Sequence, residues 1–229
     1  EAEIFMQHYK PKIFFGRDDY NSQHIIRTIV LNKNKSLHVG FQHSAFLYPH
    51  ISTLLSYTYF NVYFTAGKNY FEDLYKKLWF SDVIEIVGQP YLDLILKSRE
   101  NIILKEKFKN FFGNKKLNIL VLLPSIGLTT HFENKEKIFS KFNDFWKMFE
   151  KLHNINLIFR CRTFEDNELF MKIVKYPKAY DEKIFFITNE FSTYELMSFS
   201  NVIISNDTSS SLLEAIALDD KLVIPYNIR

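Results

Sequence analysis

At 229 residues and 47% hydrophobic content, the chain is long enough to bury one large core or two smaller ones. Its 29 basic and 26 acidic side chains leave a formal charge of +3, too balanced to indicate nucleic acid, and no apolar run reaches the length of a membrane span. A single cysteine, Cys161, excludes an internal disulfide and fits a reducing compartment, the sequence carries no fixed-period repeat or low-complexity bias, and no signal peptide is expected.

The predicted elements alternate from the start. Ile13 to Phe15 reads as a strand, and Ile25, Ile26, Ile29 and Val30 then share one helical face. "SLHVGF" (36–41) is strand-like and ends at Gln42-His43-Ser44. Residues 50–58, with His50, Leu54 and Leu55, suit a helix. "FNVYFTA" (60–66) is a strand, and Gly67-Lys68 lead into a helix carrying Phe71, Leu74, Tyr75 and Leu78. "VIEIV" (83–87) is a further strand, broken by Gly88 and Pro90. Leu92, Ile95 and Leu96 continue helically before charge rises, and Lys105 to Lys116 read as a solvated helix face. Gly113-Asn114 breaks that run.

A second α/β series begins with "LNILVLLP" (117–124). A helix around 134–153, strand "NLIFR" (156–160), a helix near 165–175 and strand "KIFFIT" (183–188) follow. Ser192-x-x-Glu195 predicts a capping box on the next helix. Val202 to Ile204, a short β-branched run, and Leu222 to Ile224, a second buried-type strand, flank a helical pattern at Leu212, Leu213 and Ile216, with Pro225 closing the last strand. Strand, loop, helix and strand make a parallel βαβ unit. The expected architecture is therefore α/β, with two Rossmann-like domains: 1–90, a linker helix region at 91–116, and 117–229. The chain opens on Glu1, soon reaches a strand, and ends on one, so trimming at both ends is expected.

Four consecutive hydroxyls, Thr208 to Ser211, lie between a strand and a helix. Ser211-x-x-Glu214 fits a capping box, and Thr208 or Ser209 could cap instead. One cap needs one hydroxyl. The extra ones suit an anionic ligand, because helix N-termini hold phosphate and open parallel sheets bind ligands at that crevice.

These motifs resemble GT-B glycosyltransferases, in particular the capsule and teichoic-acid group that includes CDP-glycerol glycerophosphotransferases. Gln42-His43-Ser44 stands where that group has "QHG", with Ser44 in place of the glycine. Gly88, Pro90 and Asp93 match its "G-x-P-x-x-D", and Asn206 to Ser211 with Glu214 match its "TDYSSS-x-x-E". Its "K-P-H-P" is replaced by Arg160-Cys161-Arg162. The resemblance implies a metal-independent transferase that moves a sugar or glycerophosphate from a nucleotide-activated donor to a polysaccharide or lipid-linked acceptor. The setting implied is bacterial surface polysaccharide biosynthesis at the inner, cytoplasmic face of the membrane, with peripheral membrane association. The nucleotide sugar or CDP-alcohol is substrate, and no cofactor is implied. A GT-B epimerase and a non-catalytic nucleotide-sugar-binding module are the alternatives.

Such a transfer needs a base for the acceptor hydroxyl, and His43 holds that position at a strand end. His38, His43 and His50 lack metal-ligand spacing, so no metal is expected. Arg160, Arg162, Asp207, Thr208, Ser209, Ser210 and Ser211 are the expected donor-phosphate contacts, and Arg160 and Arg162 share a face if their strand continues. Glu214 either binds the donor ribose or serves as a cap. Gln42, Ser44, Gly67, Lys68 and Gly88 complete the expected interdomain cleft, with Gly67-Lys68 either an anion contact or a plain helix entry.

Overall fold

The computed structural model describes residues 2–16, 22–42, 57–67, 79–114, 117–123, 140–149, 151–176, 178, 182–206 and 209–226. By contact the chain divides into a unit Glu1–Pro90 and a unit Tyr91–Arg229.

In the first unit β1 (Ile13–Gly16), β2 (Leu37–Phe41), β3 (Val62–Thr65) and β4 (Val83–Ile86) pair in that order, all parallel. Helix α1 (Ala2–Tyr9), where no element was expected, precedes them, and α2 (Gln23–Lys33) connects β1 to β2. The expected aliphatic stripe on α2 is not its buried face. His24, Thr28 and Leu31 are buried, while Ile26 and Ile29 are 59% and 45% exposed. The cause is a buried polar cluster. The Thr28 hydroxyl lies 2.8 Å from the His24 carbonyl, 2.5 Å from the Tyr59 carbonyl and 2.7 Å from His38 Nδ1. A hydroxyl has one proton, so Thr28 donates to a carbonyl and accepts from the His38 Nδ1–H. Removing any partner would strand a buried polar atom, so the helix rotates to keep the set.

The Phe60 ring packs among His24, His38 and Tyr63, with centroids 5.0, 4.5 and 5.3 Å away. Two glycines make room for these rings. A Cβ on Gly16 would stand 2.3 Å from His38 Nε2, and one on Gly40 would stand 2.6 Å from the Phe60 ring. Residues 57 and 58, expected within a helix, are not helical, and Thr58 forms a parallel bridge with Trp79. The remainder of that expected helix, and the one after Gly67-Lys68, lie outside the described residues.

In the second unit β5 (Leu117–Leu122), β6 (Ile155–Arg160), β7 (Ile184–Ile187), β8 (Val202–Asn206) and β9 (Leu222–Tyr226) form a parallel sheet ordered β7-β6-β5-β8-β9. The chain runs outward from β5 to β7, then returns to the other flank of β5. Both faces are covered. One packs Ile119, Val121, Leu157, Phe159 and Ile204 against Phe142, Trp146, Phe149 and Phe170. These come from a 3₁₀ helix (Lys141–Phe149) and from α5 (Phe164–Ile173). Of the helix expected at 134–153, the described residues are helical over 140–149, mainly as this 3₁₀ helix, whereas residues 151–153 are not helical. The other face packs Leu120, Leu122, Ile158 and Ile203 against helices α3 (Pro90–Glu100), α4 (Ile102–Phe112), α6 (Thr193–Phe199) and α7 (Ser210–Ile216). α3 and α4 contribute Ile95, Leu104, Phe108 and Phe112 to it. The fully buried Asn156 ties the end of α4 to the sheet, donating to the Phe112 carbonyl and to Asn118 Oδ1 at 3.0 and 2.7 Å.

The caps explain several boundaries. Ser192 and Glu195 form the expected reciprocal box at the start of α6. Thr163 caps α5 by accepting from the Asp166 N–H at 3.1 Å. The strand expected to close at Pro225 runs through it to Tyr226. Among the described residues β9 pairs with β8 alone, and an edge strand tolerates the missing N–H.

Candidate functional site at the carboxyl ends of the strands

His43, Ser44, Lys68, Asp207 and Thr208 lie outside the described residues, as does the side chain of Ser210. Of the others, Gln42, Gly67, Gly88, Arg160 and Arg162 lie at or just beyond strand ends, and Ser209, Ser211 and Glu214 lie at the start of or within the helix after β8.

In the first unit Gln42, Gly67 and Gly88 follow the carboxyl ends of β2, β3 and β4. Gln42 is engaged structurally. Its N–H donates to the Phe64 carbonyl and its Oε1 accepts from the Ala66 N–H, both at 2.9 Å. It thereby ties the exit of β2 to the exit of β3. Gly88 has φ +77°, a left-handed conformation that favours glycine, whereas Gly67 borders open space. His38 is part of the buried cluster on α2.

In the second unit the registers align Ile187, Arg160, Leu122, Ser205 and Pro225 in one row across the sheet. Arg160 ends β6 and Ser205 lies one residue before the end of β8, with β5 between them. Strands lie roughly 4.8 Å apart, so these two Cα atoms are about 10 Å apart. The Arg160 guanidinium is half-buried. Its Nη1 donates to the Ile187 carbonyl at 3.2 Å, and its buried Nε has no hydrogen-bond partner. Burial lowers its pKa, against the opposing pull of Cys161 and Glu190, yet an arginine stays charged at neutral pH. The strand stops at Arg160, so Arg162 does not continue its alternation. Arg162 lies exposed beyond Cys161.

Ser209 caps α7, and its Oγ accepts from the Ser211 N–H at 3.3 Å. The box expected from Ser211 and Glu214 does not form, because the helix begins at Ser210 and Ser211 is already inside its first turn. The Ser211 hydroxyl instead lies 2.5 Å from Ser209 Oγ and 3.3 Å from Ser205 Oγ. Glu214 is buried, at 7% exposure, beside the core residue Ala215. Ser205, fully buried, joins this hydroxyl cluster without having been singled out from the sequence. Its only signal was being the first polar residue after Val202-Ile203-Ile204. Close by, the Tyr226 hydroxyl donates to the Leu122 carbonyl at 2.6 Å.

The strand order reverses between β5 and β8. In open parallel sheets, the crevice beyond the carboxyl ends at such a reversal is where ligands bind. The hydroxyl cluster follows β8, on one side of that reversal. Among the described residues no three His, Cys, Asp or Glu side chains gather as a metal site, and no helix is long and apolar enough to cross a membrane.

No family model matches the chain, and no curated protein does. Solved structures do. The S. aureus MnaA co-structure with UDP matches with a TM-score of 0.65 at 16% identity, over 97% of this chain and 58% of that one. UDP-GlcNAc 2-epimerase from Neisseria meningitidis, bound to UDP-GlcNAc, matches with a TM-score of 0.65 at 14% identity, over 99% of this chain and 67% of that one. A UDP-forming α,α-trehalose-phosphate synthase from Burkholderia xenovorans, in complex with glucose-6-phosphate, matches with a TM-score of 0.52 at 10% identity, over 99% and 65%. The chain thus spans 58% of the length of the first of these structures. At such identities the likeness is one of fold, and the fold is α/β with two Rossmann-like units of the GT-B type.

Proposed function

We propose that the chain processes a nucleotide-activated sugar and holds its diphosphate at the carboxyl ends of β6 and β8. The observation that carries this reading is the strand-order reversal between β5 and β8, flanked by Ser205, Ser209 and Ser211 on one side and Arg160 on the other. A hydroxyl cluster and a guanidinium on the strands either side of β5 suit the two phosphates of a diphosphate better than a single small anion. UDP and UDP-GlcNAc in two of the matched structures support a nucleotide of this kind. In this reading Asp207, Thr208 and Ser210 complete the phosphate contacts, Arg162 assists at the rim, and Glu214 holds the ribose.

The reaction in this reading is glycosyl or glycerophosphoryl transfer to a polysaccharide or lipid-linked acceptor, in bacterial surface polysaccharide synthesis at the cytoplasmic face of the membrane. His43 is the base that takes the acceptor proton, and Gln42, Ser44, Gly67, Lys68 and Gly88 line the acceptor side. A second reading, epimerisation of the donor sugar, is supported by the match to a UDP-GlcNAc 2-epimerase bound to UDP-GlcNAc.

Product analysis separates the two. The chain, incubated with UDP-, CDP- and GDP-activated donors, is followed by NMR with and without acceptor. Transfer releases nucleotide only when acceptor is present, whereas epimerisation changes the sugar without one. Calorimetry tests the shared premise. Replacing Ser209 and Ser210 together with alanine weakens nucleoside diphosphate binding by about 1–3 kcal/mol, the scale of charge-assisted hydrogen bonds. Unchanged affinity in that folded variant would refute the assignment. His43→Ala tests the transferase chemistry by lowering kcat about 10²–10⁴-fold, with donor affinity kept.

A further inference from the structure

The chain leaves β7 through Thr188, Asn189 and Glu190, and that exit closes on itself. Glu190 Oε2 accepts from the Thr188 N–H at 2.9 Å, from the Asn189 N–H at 3.0 Å and from the Thr188 hydroxyl at 3.3 Å. Successive backbone N–H groups that converge on one point make a concavity suited to an anion, and here a side chain of the loop itself fills it. Burial would raise the Glu190 pKa. Hydrogen bonds from its own N–H, from those of Thr188 and Asn189 and from the Thr188 hydroxyl hold it below the usual carboxylate value instead, so the group is an anion at neutral pH. On its other side the loop is fastened by Lys107 of α4. Lys107 Nζ donates to the Glu190 carbonyl at 2.6 Å and lies 4.5 Å from the centre of the Phe191 ring.

Two links join this loop to Arg160. β7 lies beside β6 with Ile187 level with Arg160, and Arg160 Nη1 donates to the Ile187 carbonyl, one residue before the loop. The second link is charge. Burial weakens the hold of Arg160 on its proton, and Cys161 and Glu190 oppose that effect. The Cys161 thiol, with a pKa of about 12, is neutral at pH 7, so the negative charge that Arg160 feels there is that of Glu190. Oε2 is held by the loop N–H groups and Nη1 by Ile187, so the two charges stand within reach of each other on separate tethers.

We propose that Glu190 is a built-in counter-anion of Arg160, which competes with the diphosphate for the guanidinium and so limits how tightly the nucleotide is held. The inference rests on the reading that Arg160 contacts the diphosphate, and it adds a residue that the sequence motifs did not single out.

Calorimetry with UDP, CDP and GDP tests it. Glu190→Gln keeps an oxygen that accepts from the loop N–H groups and removes the charge. It should bind nucleoside diphosphate about two- to fivefold more tightly than the unsubstituted protein, the scale of one exposed charge. The gain should vanish in 1 M salt, where charges are screened over about 3 Å, and should be absent for the matching nucleoside, which has no phosphate. Glu190→Asp keeps the charge while disturbing the hydrogen bonds of the loop, and should give no gain. Glu190 is exposed, so these substitutions stay out of the core, and Glu190→Ser, a second neutral variant, repeats the comparison if Glu190→Gln unfolds. Equal or weaker binding by the folded neutral variant overturns the proposal. So does a gain that persists in 1 M salt, that the nucleoside shares or that Glu190→Asp reproduces. The Ser209 and Ser210 double variant separates the two readings. If it weakens binding while Glu190→Gln changes nothing, the role of Glu190 falls and the site stands. If no nucleoside diphosphate binds to any of these proteins, the site falls and this inference falls with it.

Discussion

Cys161 lies immediately beyond β6 and is 2% exposed. Burial, reinforced by Asp166 and opposed by Arg160, pushes its thiol pKa from 9.0 up to about 12. The linkage sign follows. A folded pKa above the unfolded one means that the folded state keeps a proton which the unfolded state releases. Stability from this group is complete below pH 9 and is lost as pH rises from 9 towards about 12. We expect the melting temperature to fall across that window, and to fall less in Cys161→Ala. The comparison between the two proteins matters, because Lys221, whose pKa is lowered by burial, acts with the opposite sign. Differential scanning calorimetry at pH 8, 9 and 10 reads the slope. Gly16 supports a second expectation. A Cβ there meets the His38 ring, which Thr28 and Phe60 hold in place. Gly16→Ala should therefore cost about 1–3 kcal/mol, the usual penalty for overpacking, measured by urea unfolding.

Elements carry information of different ranges. The capping box on α6 was legible because Ser192 and Glu195 satisfy each other within one turn. Ser192→Ala should cost about 1 kcal/mol by the same urea assay, and Ser192→Gly only a few tenths. The alternation of apolar runs was equally legible, since β-branched segments such as Val202 to Ile204 are buried whatever their neighbours are. The buried face of α2 was not, because periodicity counts apolar residues and this face is His24 and Thr28. Their partners, Tyr59 and His38, come from elsewhere in the chain. The cap of α7 was ambiguous for another reason. Several adjacent hydroxyls could each accept an N–H, and the choice of Ser209 depends on where the helix starts. The candidate site was legible only in part. Its hydroxyl loop is local, but the row joining Arg160, Leu122 and Ser205 exists only through strand register, which no single segment encodes. Ser205 was missed for that reason.

Across the whole molecule the two units are built to different standards. The second has apolar clusters on both faces of its sheet. Among the described residues the first centres on Phe60, Tyr63 and Trp79, beside the polar group on α2, and on the other face of its sheet Ile13, Phe15 and Leu37 are exposed. Local opening costs least where little apolar surface is buried. Amides of β1 to β4 should therefore exchange with solvent faster than those of β5, β6 and β8, a difference readable by mass spectrometry on peptides from each unit. Equal protection in the two sheets would show that the polar cluster of the first unit holds it as firmly as packing holds the second.

The distribution of indole rings has a practical consequence. The chain has two tryptophans. Trp79 is 8% exposed in the core of the first unit, and Trp146 is 2% exposed in the core of the second. Trp146 Nε1 donates to the Lys175 carbonyl, which anchors the ring between the 3₁₀ helix and the residues after α5. Each unit thus contains its own intrinsic fluorophore. Trp79→Phe silences one unit and Trp146→Phe the other, so emission from the remaining indole follows the melting of a single unit inside the intact chain, with no dye attached.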